Sequence, residues 1–178
     1  FADAGAKVVS ITAKDKLRKQ LSKNLDLTRG NVSFSSERAD RCTLAENGIE
    51  NVLELVGMPL PDMYSMELSL FVLEAGVKLL ERERRDLMYL SLTDYVQHKY
   101  APAESEARRF YEELDRNFGR LEALGAVVAL TADRQPDGTE SPRGRRPDRH
   151  PRLALQAPGL RLPEQRDLRR TACRLGLR

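Results

Sequence analysis

Apolar positions along the first 131 residues alternate between short dense runs and long stretches of helical spacing. Lys7-Val-Val-Ser-Ile-Thr12 is a β-branched run preceded by Gly5 and reads as a buried strand. Asp15 can cap a helix over residues 16–23, in which Leu17 and Leu21 share one face. Residues 31–36 read as a second strand. Residues 45–56 read as a helix, with Ile49, Val52, Leu53 and Val56 at helical spacing and Gly57 as its C-terminal cap. After the rigid connector Met58-Pro-Leu-Pro61, residues 62–84 form a long helical pattern carrying Leu68, Phe71, Val72, Ala75, Leu79 and Leu80. Residues 86–92 are a dense apolar run that ends in Thr93-Asp94. Residues 103–124 are helical through Phe110, Leu114, Phe118, Leu121 and Leu124, and Gly125 then introduces a last apolar run, 126–131, before Ala132-Asp133. Runs without polar alternation are buried on both faces, as in parallel sheets, and their alternation with helices predicts an α/β fold. Strands at about 7–12, 86–92 and 126–131 are expected to be neighbours. No tandem repeat is present.

Composition changes this picture at one place. The 178 residues suffice for one compact domain, with 40% hydrophobic and 32% charged residues. The net charge of +3 conceals a division: residues 1–133 hold 18 Lys+Arg against 22 Asp+Glu, whereas residues 134–178 hold 12 Arg, no Lys and 5 acids. All ten aromatic residues, and every Ile, Val, Lys and Met, precede position 133, while six of the nine prolines follow it. The high isoelectric point therefore belongs to the tail, and whole-chain basicity is no argument for nucleic-acid binding. No apolar run approaches the ~20 residues of a membrane helix. The opening Phe1-Ala-Asp-Ala-Gly-Ala-Lys7 has neither the basic nor the long apolar region of a signal peptide. Cys42 and Cys173 lie 131 positions apart without metal-type spacing, so a reducing, cytoplasmic setting is expected.

Candidate chemistry collects at strand ends. Leu92-Thr93-Asp94 and Leu130-Thr131-Ala132-Asp133 each place a carboxylate just beyond an apolar run, and open α/β sheets bind ligands at the carboxyl ends of their strands. An Asp in that position is equally a helix N-cap. Asp94-Tyr-Val-Gln-His98 adds a distinction, because a separation of four brings both side chains to one side of a helical turn. There, carboxylate oxygen and imidazole nitrogen can share a Zn²⁺ at ~2.0–2.2 Å. A surface Asp/His pair is the plain alternative.

Several segments, in order, resemble phosphonoacetate hydrolase of the alkaline phosphatase superfamily. They are Thr12-Ala-Lys-Asp-Lys-Leu-Arg18, Phe34-Ser-Ser-Glu-Arg-Ala-Asp40, Gly48-Ile-Glu-Asn-Val52, Val56-Gly-Met-Pro-Leu-Pro61, Ala75-Gly-Val-Lys-Leu-Leu-Glu-Arg-Glu-Arg84, the whole of 86–99, and Ala129-Leu-Thr-Ala-Asp133. The resemblance runs over about residues 1–133. It implies a fragment of a three-layer, mainly parallel α/β domain and a two-zinc hydrolase that splits the carbon–phosphorus bond of phosphonoacetate into acetate and phosphate. It further implies that Asp94 and His98 bind one zinc and Asp133 the other. Lys14 and Lys16 fall in a loop suited to a substrate carboxylate; their plain reading is a solvated helix start.

The same resemblance implies that the nucleophilic Thr and a further zinc-ligand Asp belong to sequence ahead of Phe1. Neither Thr12 nor Thr28 sits in the matching motif, so no residue here inherits that role. After Asp133 the family's His-Gly is replaced by Arg134-Gln135, and Arg cannot ligate zinc because it stays protonated. The only later histidine, His150, lies in Arg-Pro-Asp-Arg-His-Pro-Arg without family context. Because resemblance and composition break together, residues 134–178 read as a frameshifted Arg/Pro-rich tail, expected to be disordered. As an enzyme, the chain is expected to be truncated and inactive, with a small phosphonate as its ligand and neither specific nucleic acid nor membrane as a partner. The rival reading is a non-catalytic interaction protein with an Arg-rich nucleic-acid-binding tail, against which the absent aromatics and interrupting prolines argue. Another phosphodiesterase or phosphomutase of the superfamily is a further alternative, set apart by the Lys14/Lys16 loop.

Overall fold

A computed structural model describes residues 1–131. Its centre is a parallel three-stranded sheet of β1 (Val8–Thr12), β2 (Val32–Ser35) and β3 (Leu87–Ser91), in the order β2-β1-β3. Register pairs Val9 with Val32 and Met88, and Ile11 with Phe34 and Leu90, so these side chains share one face. Ser10 and Ser33 lie opposite each other on the other face and are also buried. The sheet is thus covered on both sides at β1, as parallel sheets require.

The helices follow from the topology. α1 (Asp15–Leu21) joins β1 to β2, and α4 (Glu67–Arg82) joins β2 to β3 across β1. The two crossovers move in opposite directions along the sheet, so right-handed connections put them on opposite faces. α4 is apolar nearly all round, the mark of a buried helix. Leu68, Phe71, Val72, Ala75 and Leu79 join the sheet's Val9, Ile11 and Phe34 in the main core. Met66 and Leu70 meet Ala107 and Phe110 of α6 (Ser105–Ala123), together with Val96 of α5 (Tyr95–Lys99). Gly76 lets α4 approach the sheet: a Cβ there would lie 2.8 Å from Leu90 Cδ1.

Three expectations are corrected. Asp15 does not cap α1. It is the first helical residue, Lys14 holds the cap position, and the Asp15 N–H donates instead to Glu37 Oε2 at 2.9 Å. The helix expected over 45–56 is two helices, α2 (Leu44–Asn47) and α3 (Val52–Val56). Gly48 breaks it at φ 68°, pressed so close to the Asn31 carbonyl that a Cβ would meet its oxygen at 2.1 Å. Gly57 does cap α3, its N–H donating to Leu53 O at 2.9 Å. Finally, residues 126–131 form no strand. α6 packs on α4 and α5, and the run after it meets no strand; Val127 is 99% exposed. The expectations for Asp133 and for residues 134–178 lie outside the described residues.

Candidate functional site

All three strands point their carboxyl ends to the same edge. The chain leaving β1 turns onto the α1 face, while the chain leaving β3 turns onto the α4 face through α5. Between these neighbouring strands lies a topological switch point, the place where open α/β sheets hold ligands. Thr12, Ala13 and Lys14 border it from one side and Leu92, Thr93 and Asp94 from the other, stitched by the Ala13 N–H to Ser91 O bond at 2.8 Å. Two hydroxyls brace the rim from below. Ser69 Oγ accepts the Thr93 N–H at 3.0 Å, and Ser36 donates to Leu68 O at 2.8 Å.

Asp94 stands at the N-cap of α5, yet its carboxylate makes no capping bond. It turns to His98 instead, with Oδ2 2.9 Å from Nε2. Both side chains are about three-quarters exposed, at 77% and 76%, where an ion pair contributes little to stability. Val96, 2% exposed, anchors the short helix that carries them. A carboxylate oxygen and an imidazole nitrogen meeting at one exposed point fit the donor chemistry of zinc, as two of the three protein ligands a catalytic zinc usually takes. Among the described residues no group of three or more metal-ligating side chains forms. Asp133, the ligand expected on the other zinc, lies outside them.

The two lysines are placed differently. Lys14, half-buried, donates from Nζ to the Met63 carbonyl at 2.8 Å and lies 5.1 Å from the centre of the Tyr64 ring. Lys16 is exposed on the first turn of α1. Neither bonds to Asp94 or His98; what they share with that pair is the edge of the sheet. Thr12 and Thr28, the threonines weighed as nucleophiles, bond within their own turns. Thr12 is fully buried and donates to Lys14 O at 2.8 Å, and Thr28 donates to Asp26 at 2.6 Å. Burial pushes the Cys42 thiol up to about 12, far from a nucleophile's range.

Sequence reasoning missed Tyr64, Ser36 and Ser69. A signal existed for Ser69, a polar residue set within the apolar face of α4. Tyr64 offered none, since its partner is 50 positions away and its loop has no periodicity.

No family model matches the chain. The fold matches a fragment of an alkaline-phosphatase-like α/β domain. Two solved structures of phosphonoacetate hydrolase from Sinorhizobium meliloti 1021 are each 55% identical to this chain, one in complex with phosphonoacetate and one with phosphonoformate. Their TM-scores are 0.69 and 0.67, and each match covers 71% of this chain. The chain spans 31% of the length of those enzymes, a partial match to phosphonoacetate hydrolase in sequence and fold alike. Among the described residues no helix is long and apolar enough to cross a membrane.

Proposed function

We propose that this chain carries part of the active site of a zinc-dependent hydrolase that cleaves the carbon–phosphorus bond of phosphonoacetate, yielding acetate and phosphate. The observation that carries the reading is the 55% identity to phosphonoacetate hydrolase with phosphonoacetate bound. The turn of Asp94 away from its capping role and onto His98 supports it independently. Bound zinc would supply positive charge for the phosphonate oxygens and lower the pKa of an attacking hydroxyl.

The chain's own residues then divide the work. Asp94 and His98 serve as two ligands of one zinc, with α5 holding them on one side of a turn. Asp133 serves the other zinc. Lys14 and Lys16 receive the carboxylate end of the substrate at the opposite border of the crevice, which sets its phosphonate end toward Asp94 and His98. An ammonium suits that task as a compact point charge with three donors.

With no matched nucleophile and a partial ligand set, the 178-residue chain alone is proposed not to turn over. The test is phosphate release from phosphonoacetate by the purified chain with added Zn²⁺, together with zinc retention in equilibrium dialysis. No release is expected, and Asp94→Ala or His98→Ala should lower zinc retention at least tenfold. Turnover that vanishes in Asp94→Ala would show that the nucleophile lies within this chain. Unchanged zinc retention in both variants would remove the metal assignment.

A further inference from the structure

We infer that Tyr64 and the Met63 carbonyl form a socket that fixes Lys14 as a carboxylate receiver, making Tyr64 a positioning residue that favours carboxylated phosphonates over plain ones. The inference rests on the role proposed above for Lys14.

Three observations carry it. First, Lys14 is held without being neutralised. Lys7, Lys19 and Lys78 are each paired with a carboxylate, from Glu83, Asp15 and Glu81. Among the described residues no carboxylate lies within ion-pair distance of Lys14. Its partners among the described residues are a neutral carbonyl and an aromatic face, which leave the full positive charge, and at least one of three N–H donors, for a ligand.

Second, the socket stands on a stiffened loop. Pro59 and Pro61 restrict its backbone, and the Ser65 hydroxyl closes a turn onto Asp62 O at 3.0 Å. Third, Tyr64 is 75% exposed, so core packing does not account for an aromatic residue there; its ring is spent on the ammonium. A lysine already confined in this way loses less rotamer freedom when it meets an anion than a free surface lysine does.

The test uses the full chain with ¹³C-labelled lysine, the Lys14 Cε–Hε signal being assigned by its loss in Lys14→Met. Ring currents should displace that signal upfield in the parent and in Tyr64→Phe, and return it to the ordinary lysine position in Tyr64→Leu. A signal at the ordinary position in the parent would overturn the socket. Phosphonoacetate and methylphosphonate are then titrated. Phosphonoacetate should bind about five-fold more weakly to Tyr64→Leu, with affinity retained in Tyr64→Phe, while methylphosphonate binding stays unchanged. Equal loss for both ligands would mean that Tyr64 is merely structural and overturn the inference. If Lys14→Met weakens phosphonoacetate binding but Tyr64→Leu does not, the inference fails and the Lys14 assignment stands. If the Lys14 signal is displaced yet indifferent to phosphonoacetate, the substrate role of Lys14 fails, and the inference with it.

Discussion

Residues 8–12 and 126–130 are two five-residue runs, each holding a Val-Val pair, with opposite fates. The first is the central strand, hydrogen-bonded on both edges, with Val9 and Ile11 wholly buried. The second is no strand, and exposes Val127 and Leu130 at 99% and 61%. Apolar character does not separate them. What separates them is a neighbour: α1 and α4 return the chain to β1's two edges, whereas α6 packs on α4 and α5 and residues 126–130 after it pair with no strand. A strand is therefore a relation between segments, and a local pattern supplies only one side of it.

The sharpest way to break this contrast is to truncate one side chain in each run. Ile11→Ala should cost about 2–5 kcal/mol, because it leaves a cavity between the sheet and α4. Val127→Ala should change stability by no more than about 0.5 kcal/mol, since it removes a side chain that touches solvent. Urea denaturation of both variants measures the difference. A cost for Val127→Ala approaching that for Ile11→Ala would mean that 126–130 is paired and buried in solution.

The same contrast explains what was legible in the sequence. β1, β2 and β3 fall within the runs at 7–12, 31–36 and 86–92; β-branched and apolar clustering coincides with burial in β1 and β2, whereas β3, expected to be buried on both faces, is an edge strand that exposes Leu87 and Tyr89 and is held by its pairing with β1. α4 and α6 lie inside their patterns, α4 starting five residues late, after the loop to Met66, and α6 two residues late, after Glu104. The failures are positions where a distant group decides. Gly48 breaks a helix because of Asn31, seventeen residues back, and the α1 N-terminus is satisfied by Glu37, on another segment. In the site, the Asp94–His98 spacing was readable because a helical turn enforces it. The socket around Lys14 was not, because Tyr64 reaches it only through the fold.

Glycines extend the comparison to single backbone positions. Gly48 and Gly125 both have positive φ, 68° and 85°, but only Gly48 is crowded. Gly125→Ala should cost about 1–2 kcal/mol, the strain of a left-handed residue alone. Gly48→Ala adds a clash with the Asn31 backbone, which cannot rotate away as a side chain can, so its cost should be larger by about 1–2 kcal/mol. Thermal or urea unfolding of the pair gives the ordering; equal costs would mean that the close approach of Asn31 is easily relaxed.

The smallest effect separates two aspartates at the carboxyl edge. Asp94 is exposed and faces an imidazole, whereas the Asp15 side chain is 16% exposed and accepts from Arg18 at 2.7 Å, with Lys19 at 3.1 Å. Partial burial pushes the Asp15 carboxyl up, but hydrogen bonds and charge from Arg18 and Lys19 outweigh it and hold the group below its ordinary 3.8. The folded chain therefore binds this proton less readily than the unfolded chain does. Stability from Asp15 is complete above the unfolded value near 4 and is lost as pH falls through the lower folded value. Asp15→Asn should accordingly be less stable than the parent at pH 6, and the gap should close as pH drops from about 4 toward 2. Asp94→Asn, at an exposed pair, should leave stability at pH 6 close to the parent's while lowering zinc retention. Unfolding midpoints of the three proteins across that pH range decide the matter. A gap for Asp15→Asn that persists unchanged at pH 2 would mean that Asp15 acts through its shape and hydrogen bonds rather than its charge.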